Sequence, residues 1–232
     1  SENYILIIME YISCGDFLSY VRKRSRIPEL IAKFIFKQII EGIQFIHSKN
    51  IVHRDIKLDN ILIDLNNSIK ICDFGVSKQI KNREIINDQC GTPAYIAPEI
   101  LRNNGYEGFP VDIWSAGVVL YTMLTGTVPF KAHNMKDLHK MILKGNYMSI
   151  SEFNNKIDPN NNNCNLNNQA ISLEAENLIK SILELDPKKR ITSEGILNHP
   201  WIKSLDYKQN IKLSLFTEIE KLLLSKSKLD LR

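Results

Sequence analysis

Cysteine is scarce and scattered in this chain. The four residues, Cys14, Cys72, Cys90 and Cys164, form no CxxC pair, which argues against a zinc site or a disulfide framework. A reducing, cytoplasmic compartment is therefore expected, with the nucleus left open. No apolar run approaches the roughly 20 residues of a membrane span, and the N-terminus lacks the charged, apolar, small-residue order of a secretory signal. No membrane partner is expected. Excess charge is missing too: 30 Lys and Arg against 26 Asp and Glu leave a net charge of +4, spread along the chain. Such a balance solvates a surface and does not imply nucleic acid. Against these absences stand 232 residues, 44% of them hydrophobic, enough for one good core in one domain or one large lobe of a domain.

The most informative stretch is residues 52–75, VHRDIKLDNILIDLNNSIKICDFG. Asp55, Lys57 and Asn60 sit in a polar loop that runs into ILI, which reads as a buried strand. Asn66-Asn67 is a turn pair that tolerates positive φ, so SIKIC is expected to fold back antiparallel on the first strand. Asp73 follows, and Gly75 lets the backbone turn freely. Two strand ends thus present Asp55, Asn60 and Asp73 to one small volume. Hard oxygen ligands beside a base are what Mg2+-assisted phosphoryl transfer requires.

H-R-D-I-K-L-D-N followed by D-F-G resembles the catalytic and metal-binding loops of eukaryotic protein kinases. The resemblance continues through GTPAYIAPE (91–99), DIWSAGVVLY (112–121), Arg190 in DPKKRIT and HPW (199–201). GTPAYIAPE and VPF look most like the calcium/calmodulin-dependent group. The resemblance implies an α+β fold: a mainly α-helical protein kinase large lobe (13–203) with short β-hairpins, preceded by a remnant small-lobe strand and hinge (1–12). It also implies ATP and Mg2+ as cofactors and proteins as substrates. Asp55 would be the base or orienter of the acceptor hydroxyl, Lys57 would neutralise the transferring phosphoryl group, and Asn60 and Asp73 would hold two Mg2+ ions. Lys57 with Thr92 in GTP looks like the serine/threonine class. Met9 would be the gatekeeper, and Glu10 and Ile12 would meet the adenine edge through their backbone. Leu62 would belong to the same nucleotide site, with Asp16 near the ribose. Asp16 can equally cap the helix FLSYVRKR. Asp59 and Asp16 together could bind an arginine ahead of the phosphorylated residue, although Thr122 stands where strongly basophilic kinases carry an acid.

Structural roles follow from the same resemblance. His53 is expected to pack under Phe74, Asp112 to anchor the catalytic-loop backbone, and Glu99 and Arg190 to form a buried ion pair. Asp88 stands where many members carry a phosphorylated threonine that pairs with the arginine of H-R-D, here Arg54. Its carboxylate is expected to replace that phosphate. Cys72 and Cys90 have no cationic neighbour in sequence and read as small buried hydrophobes.

Periodicity supplies the frame. YILIIMEY (4–11) reads as a strand. Ile31, Phe34, Ile35, Ile39, Ile43 and Ile46 recur at helical spacing after Pro28, which predicts a core helix over 29–48, with His47 as a dipole partner near its end. Residues 111–126 are apolar on nearly all faces, hence an interior helix ended by Gly126. MKDLHKMILKG predicts a helix ending at Gly145, and Ser172 caps another. The asparagine-dominated segment 154–168 is expected to be a mobile insertion. In the extension 204–232, Thr217 and Glu220 form a capping box before a basic amphipathic helix. That helix either packs on the lobe or, over 206–232, makes a calmodulin or autoinhibitory contact.

No Gly-rich loop and no V-A-I-K lysine precede Tyr4, and Ser1 falls inside an apolar segment. The expectation is a fragment of a longer kinase, itself of little or no activity, with an exposed apolar segment at its start. The competing reading is a catalytically inert, pseudokinase-like scaffold for protein partners. Intact Asp55, Lys57, Asn60 and Asp73 favour the enzyme.

Overall fold

The computed structural model describes residues 6–13, 15–64, 68–81, 84–156 and 170–205. Helix α1 (Phe17–Arg24) starts at Asp16, whose carboxylate accepts the Ser19 N–H at 2.7 Å and satisfies a free donor of the first turn. Helix α2 (Glu29–Ser48) has no side-chain cap at Pro28. Its stability comes from packing: Ile31, Ile35, Ile39, Ile43 and Ile46 are all buried along one face. After it come β1 (Ile51–Val52), a single 3-10 turn (Leu58–Asn60), β2 (Ile61–Ile63), β3 (Ile69–Ile71), β4 (Lys78–Gln79) and β5 (Ile85–Ile86). A second 3-10 turn (Pro93–Tyr95), α3 (Pro98–Leu101) and β6 (Tyr106–Glu107) lead into α4 (Gly108–Thr125). Helices α5 (Met135–Lys144), α6 (Ile150–Lys156), α7 (Leu173–Ile182), α8 (Ser193–Asn198) and α9 (Pro200–Lys203) complete the α+β fold.

Helix α4 is the axis of the core. Every residue from Val111 to Thr125 is buried, and α2 and α7 both pack against it. It begins three residues earlier than its apolar run, at Gly108, where β6 delivers the chain. It ends as expected at Gly126, in the left-handed conformation at φ +79. A Cβ there would fall 1.7 Å from the Ser25 carbonyl oxygen, so the α1–α2 linker can lie against the helix end only over glycine. Thr122 is buried, its hydroxyl donating to the Val118 carbonyl at 2.7 Å. Helix α5 ends at left-handed Gly145, and Ser172 caps α7 by accepting the Ala175 N–H.

Strands β2 and β3 pair antiparallel as expected, with Ile61 opposite Ile71; the Asn66-Asn67 turn lies outside the described residues. The other pairings are not hairpins. β1 pairs with β4 and β5 with β6, two residues each and far apart in sequence, too short for any alternation to reveal them.

Two expectations need correction. Residues 6–12 form no strand: no described strand runs beside them, and Leu6, Ile7, Ile8, Met9 and Tyr11 are exposed. Their composition expresses a β propensity, which only a partner ladder can realise. The asparagine-rich segment does not begin at 154. Asn154 belongs to α6, and its carboxamide donates to the Ile171 carbonyl at 2.8 Å and accepts the Ile171 N–H at 2.9 Å, pinning the entry to α7. Residues 157–168 lie outside the described residues, as do Cys14, Cys164 and 206–232 with Thr217 and Glu220. Among the described residues, no helix is long and apolar enough to cross a membrane.

Candidate active site

The loop after β1 holds its polar side chains in one hydrogen-bonded group. Asp55 Oδ2 accepts from Lys57 Nζ at 2.6 Å, and Oδ1 accepts the Thr92 hydroxyl at 2.7 Å and the Thr92 N–H at 3.0 Å. Lys57 Nζ also donates to Thr92 Oγ1 at 3.0 Å. Asn60, buried in the 3-10 turn, donates its amide to the Asp55 carbonyl at 2.9 Å and to Oδ2 at 3.2 Å. Partial burial pushes the Asp55 carboxyl up, but hydrogen bonds from Lys57 and Thr92 outweigh it and hold it below the usual carboxylate range. The site thus carries an oriented carboxylate beside the Lys57 amino group. Thr92 enters from 35 residues beyond Lys57, so the loop and the segment before α3 are tied together through Asp55.

The loop backbone hangs from α4. Asp112 Oδ1 accepts the Arg54 N–H at 2.8 Å and Oδ2 accepts the His53 N–H at 2.9 Å. Arg54 is held at φ +69, a left-handed conformation costly for a residue with a side chain. His53 is fully buried, its ring 4.8 Å from that of Phe74 and its Nε2 3.0 Å from the Cys72 carbonyl oxygen. His47 does more than the helix-end role expected of it: Nε2 donates to Asp112 Oδ2 at 2.8 Å, and the ring stacks on Phe109 at 4.4 Å. Only the contact with α4, invisible in sequence, distinguishes it from an ordinary last-turn histidine.

Asp73 lies at φ +63, exposed, with Oδ1 accepting the Gly75 N–H at 3.2 Å. No group of three or more His, Cys, Asp or Glu able to hold a metal occurs among the described residues. The donor chemistry nevertheless fits Mg2+, which takes one or two protein oxygens and completes its shell from water and phosphate. Asn60 uses its amide nitrogen on Asp55, which leaves the carboxamide oxygen as its ligating end, and Asp73 offers a carboxylate.

Asp88 meets Arg54 in an ion pair, with Lys78 Nζ 3.8 Å from its other oxygen. Lys78 also pairs with Glu84 at 3.1 Å, Arg54 Nε donates to the Val76 carbonyl at 2.6 Å, and the Tyr106 hydroxyl donates to the Asp88 carbonyl at 2.9 Å. The hydrogen bond from Arg54 holds the Asp88 carboxyl below its usual range. Burial pushes the Tyr106 hydroxyl up to about 12, so it stays a donor at any ordinary pH. Lys78 and Tyr106 were missed in the sequence; neither belongs to a spaced motif, and each reaches Asp88 through a strand pairing. Cys72 and Cys90 are half-buried, not fully buried as expected, and burial pushes both thiols up. Glu99 and Arg190 form the expected buried pair, joined twice at 2.6 and 2.9 Å.

On the opposite side of the loop, Asp16 and Leu62 form an antiparallel bridge, and the Ile63 N–H donates to the Gly15 carbonyl at 3.3 Å. Met9, Glu10 and Ile12 lie in the irregular segment before it, with Met9 80% exposed and Glu10 paired to Lys70 at 3.2 Å. Asp59 is exposed on the 3-10 turn against which α1, capped by Asp16, packs.

A helix-dominated α+β body that carries Asp55, Lys57, Asn60 and Thr92 in one bonded group, with Asp73 just beyond the next strand, is an arrangement that can serve phosphoryl transfer. The comparison with protein families agrees: the protein kinase domain matches residues 1–202, and the chain belongs to that family. Among curated proteins it is 38% identical over 207 residues to the Saccharomyces cerevisiae protein named "Probable serine/threonine-protein kinase HSL1". The match covers 89% of this chain and 12% of that protein.

Proposed function

We propose that the protein carrying this chain is an ATP-dependent serine/threonine kinase, transferring the γ-phosphoryl group to a Ser or Thr hydroxyl of protein substrates. The Lys57–Asp55–Thr92 group carries this reading. Asp55, ionised and oriented by Lys57 and Thr92, receives the proton of the acceptor hydroxyl as the hydroxyl oxygen bonds to the γ-phosphorus, while the bond from that phosphorus to the bridging oxygen breaks and ADP leaves. Lys57 sets a positive charge beside the carboxylate, where negative charge builds on the transferring group. Asn60 and Asp73 would hold Mg2+, which when bound neutralises phosphate charge. Leu62 and Asp16, bridged to each other, would flank the nucleotide, together with Met9, Glu10 and Ile12 once that segment is ordered against it. Asp16 and Asp59 would favour a basic residue ahead of the acceptor. The serine/threonine assignment is further supported by the named activity of the yeast relative.

The test is phosphate transfer by the full-length protein with MgATP and Ser-, Thr- and Tyr-containing basic peptides. Product on Ser or Thr, lost by a factor of about 10²–10⁴ in Asp55→Asn, is expected. No transfer by the unmodified protein would sink the reading. The isolated 232-residue chain, with no Gly-rich loop or V-A-I-K lysine in its sequence, is expected to turn over poorly.

Regulation follows from Asp88. Its carboxylate, already paired with Arg54 and Lys78, would order the segment leading to Thr92 without a phosphate. Phosphatase treatment of the full-length kinase is expected to leave its activity unchanged, and Asp88→Ala to lower it. Loss of activity on dephosphorylation with no effect of the substitution would reverse that assignment.

A further inference from the structure

Of all the serines and threonines in the chain, only Ser25 and Ser193 stand three residues after an arginine, Arg22 and Arg190 respectively. The structure separates the two. Arg190 is buried on Glu99, which it binds at 2.6 and 2.9 Å, so its guanidinium cannot be offered to another protein. Arg22 and Lys23 are exposed, and Ser25 is exposed just beyond them as the residue that ends α1. This end of the helix is also its weaker one. The buried side chains of α1 are Phe17, Tyr20 and Val21, and no apolar residue follows Val21 in the helix. A helix so short, packed through its first half, frays from its last turn. Ser25 itself sits at φ +66, a conformation costly for a residue with a side chain, which fraying relieves. Beyond Ser25 the chain is clamped: its carbonyl lies on Gly126, Arg26 and Ile27 are buried, and the Ile27 N–H donates to the Met123 carbonyl at 2.7 Å. What α1 can release is therefore the serine and the residues before it, the side on which Asp16 and Asp59 would read a basic residue.

Resting on the kinase reading above, we propose that Ser25 is a phosphorylation site, modified by a second copy of this kinase that recognises Arg22. The Ser25 hydroxyl oxygen bonds to the γ-phosphorus of ATP, the bond from that phosphorus to the bridging oxygen breaks, and ADP leaves. The hydroxyl proton passes to Asp55 of the acting copy. The product places a phosphate of about −1.5 to −2 charge beside Arg22, Lys23 and Arg24, the basic last turn of α1, and offsets most of their charge.

The experiment mixes the unmodified full-length protein, as enzyme, with a full-length Asp55→Asn copy, as acceptor, in MgATP. The acceptor cannot label itself and is told apart by an affinity tag; phosphate on it is located by mass spectrometry. Phosphate is expected on Ser25 of the acceptor, with Ser193 unlabelled. Adding Arg22→Ala to the acceptor is expected to slow labelling of Ser25 by about tenfold or more, the loss of one charge-assisted hydrogen bond. Adding Ser25→Gly, which suits the left-handed backbone and removes the hydroxyl, is expected to abolish the label in that peptide. Should Asp55→Asn fail to fold, Asp73→Asn serves as the acceptor with the same expectations. Transfer to basic Ser or Thr peptides with none to Ser25, a rate at Ser25 indifferent to Arg22→Ala, or equal labelling of Ser193 overturns the proposal. No transfer to any peptide or to the acceptor defeats the kinase reading itself, and the proposal with it.

Discussion

Glu99–Arg190 and Asp88–Arg54 use the same chemistry in opposite surroundings. Arg190 has a side chain 1% exposed, binds both Glu99 oxygens, donates to the carbonyls of Pro110 and Glu184, and lies over the Trp114 ring at 5.0 Å. Four of the five N–H donors of the fork are taken up inside the protein. Asp88 is 56% exposed and shares its cations, since Lys78 also serves Glu84 and Arg54 also serves Val76. The first pair holds α3 to the segment between α7 and α8, and through Arg190 to the Pro110 carbonyl at the start of α4. In the second, the Arg54 side chain is 9% exposed but Asp88 is within reach of salt, protons and enzymes, which suits a control point better than a structural rivet.

Breaking the buried pair is expected to have the largest effect on folding. Glu99→Ala leaves a guanidinium without its counter-ion in the core and is expected to cost about 3–5 kcal/mol in urea unfolding. The double variant Glu99→Leu with Arg190→Met is expected to recover only part of this, because the Pro110 and Glu184 carbonyls lose their donor. By contrast, Asp88→Ala is expected to change unfolding free energy by less than about 1 kcal/mol while lowering the activity of the full-length protein about tenfold. A fall in stability as large as that of Glu99→Ala would abolish the distinction. Salt sharpens it further. Between about 0.05 and 0.5 M NaCl the Debye length falls severalfold, so the activity of the unmodified protein is expected to drift toward that of Asp88→Ala, with Glu99→Ala showing the same stability deficit throughout.

The smallest expected effect is in pH. The Asp88 carboxyl is depressed in the folded protein by its hydrogen bond from Arg54, so its contribution is fully present above the unfolded value of about 3.9 and is lost as pH falls through the lower folded value. The activity ratio of the unmodified protein to Asp88→Ala is therefore expected to stay constant from pH 5 to 8 (about neutral on either side). Titration of that ratio within this window would mean that a group other than Asp88 carries the control.

The legible parts of the site were those written in local spacing. Asp55, Lys57 and Asn60 fall within one turn and its approach, and β2 and β3 are adjacent hairpin strands, so the pattern nearly determines their meeting. Helix α2 was readable to its ends because isoleucine recurs along one face. Where partners are distant, spacing carries no information. Lys78 and Tyr106 reach Asp88 only because β4 pairs with β1 and β6 with β5, and a two-residue strand has no pattern to read. Residues 6–12 failed in the opposite sense, with a strong strand pattern and no described strand to pair with.

Residue type and order by themselves determined the kinase motifs, the helical frame and the carboxylates on which chemistry can be built, because these depend on side chains a few positions apart. Tertiary structure alone decided that Thr92 closes on Asp55, that Asp88 lies between Arg54 and Lys78, and that His47 grips Asp112. Each of these is a polar contact between segments distant in sequence, brought together by the burial of apolar faces, a non-directional force that sequence pattern expresses as a face and never as a distance.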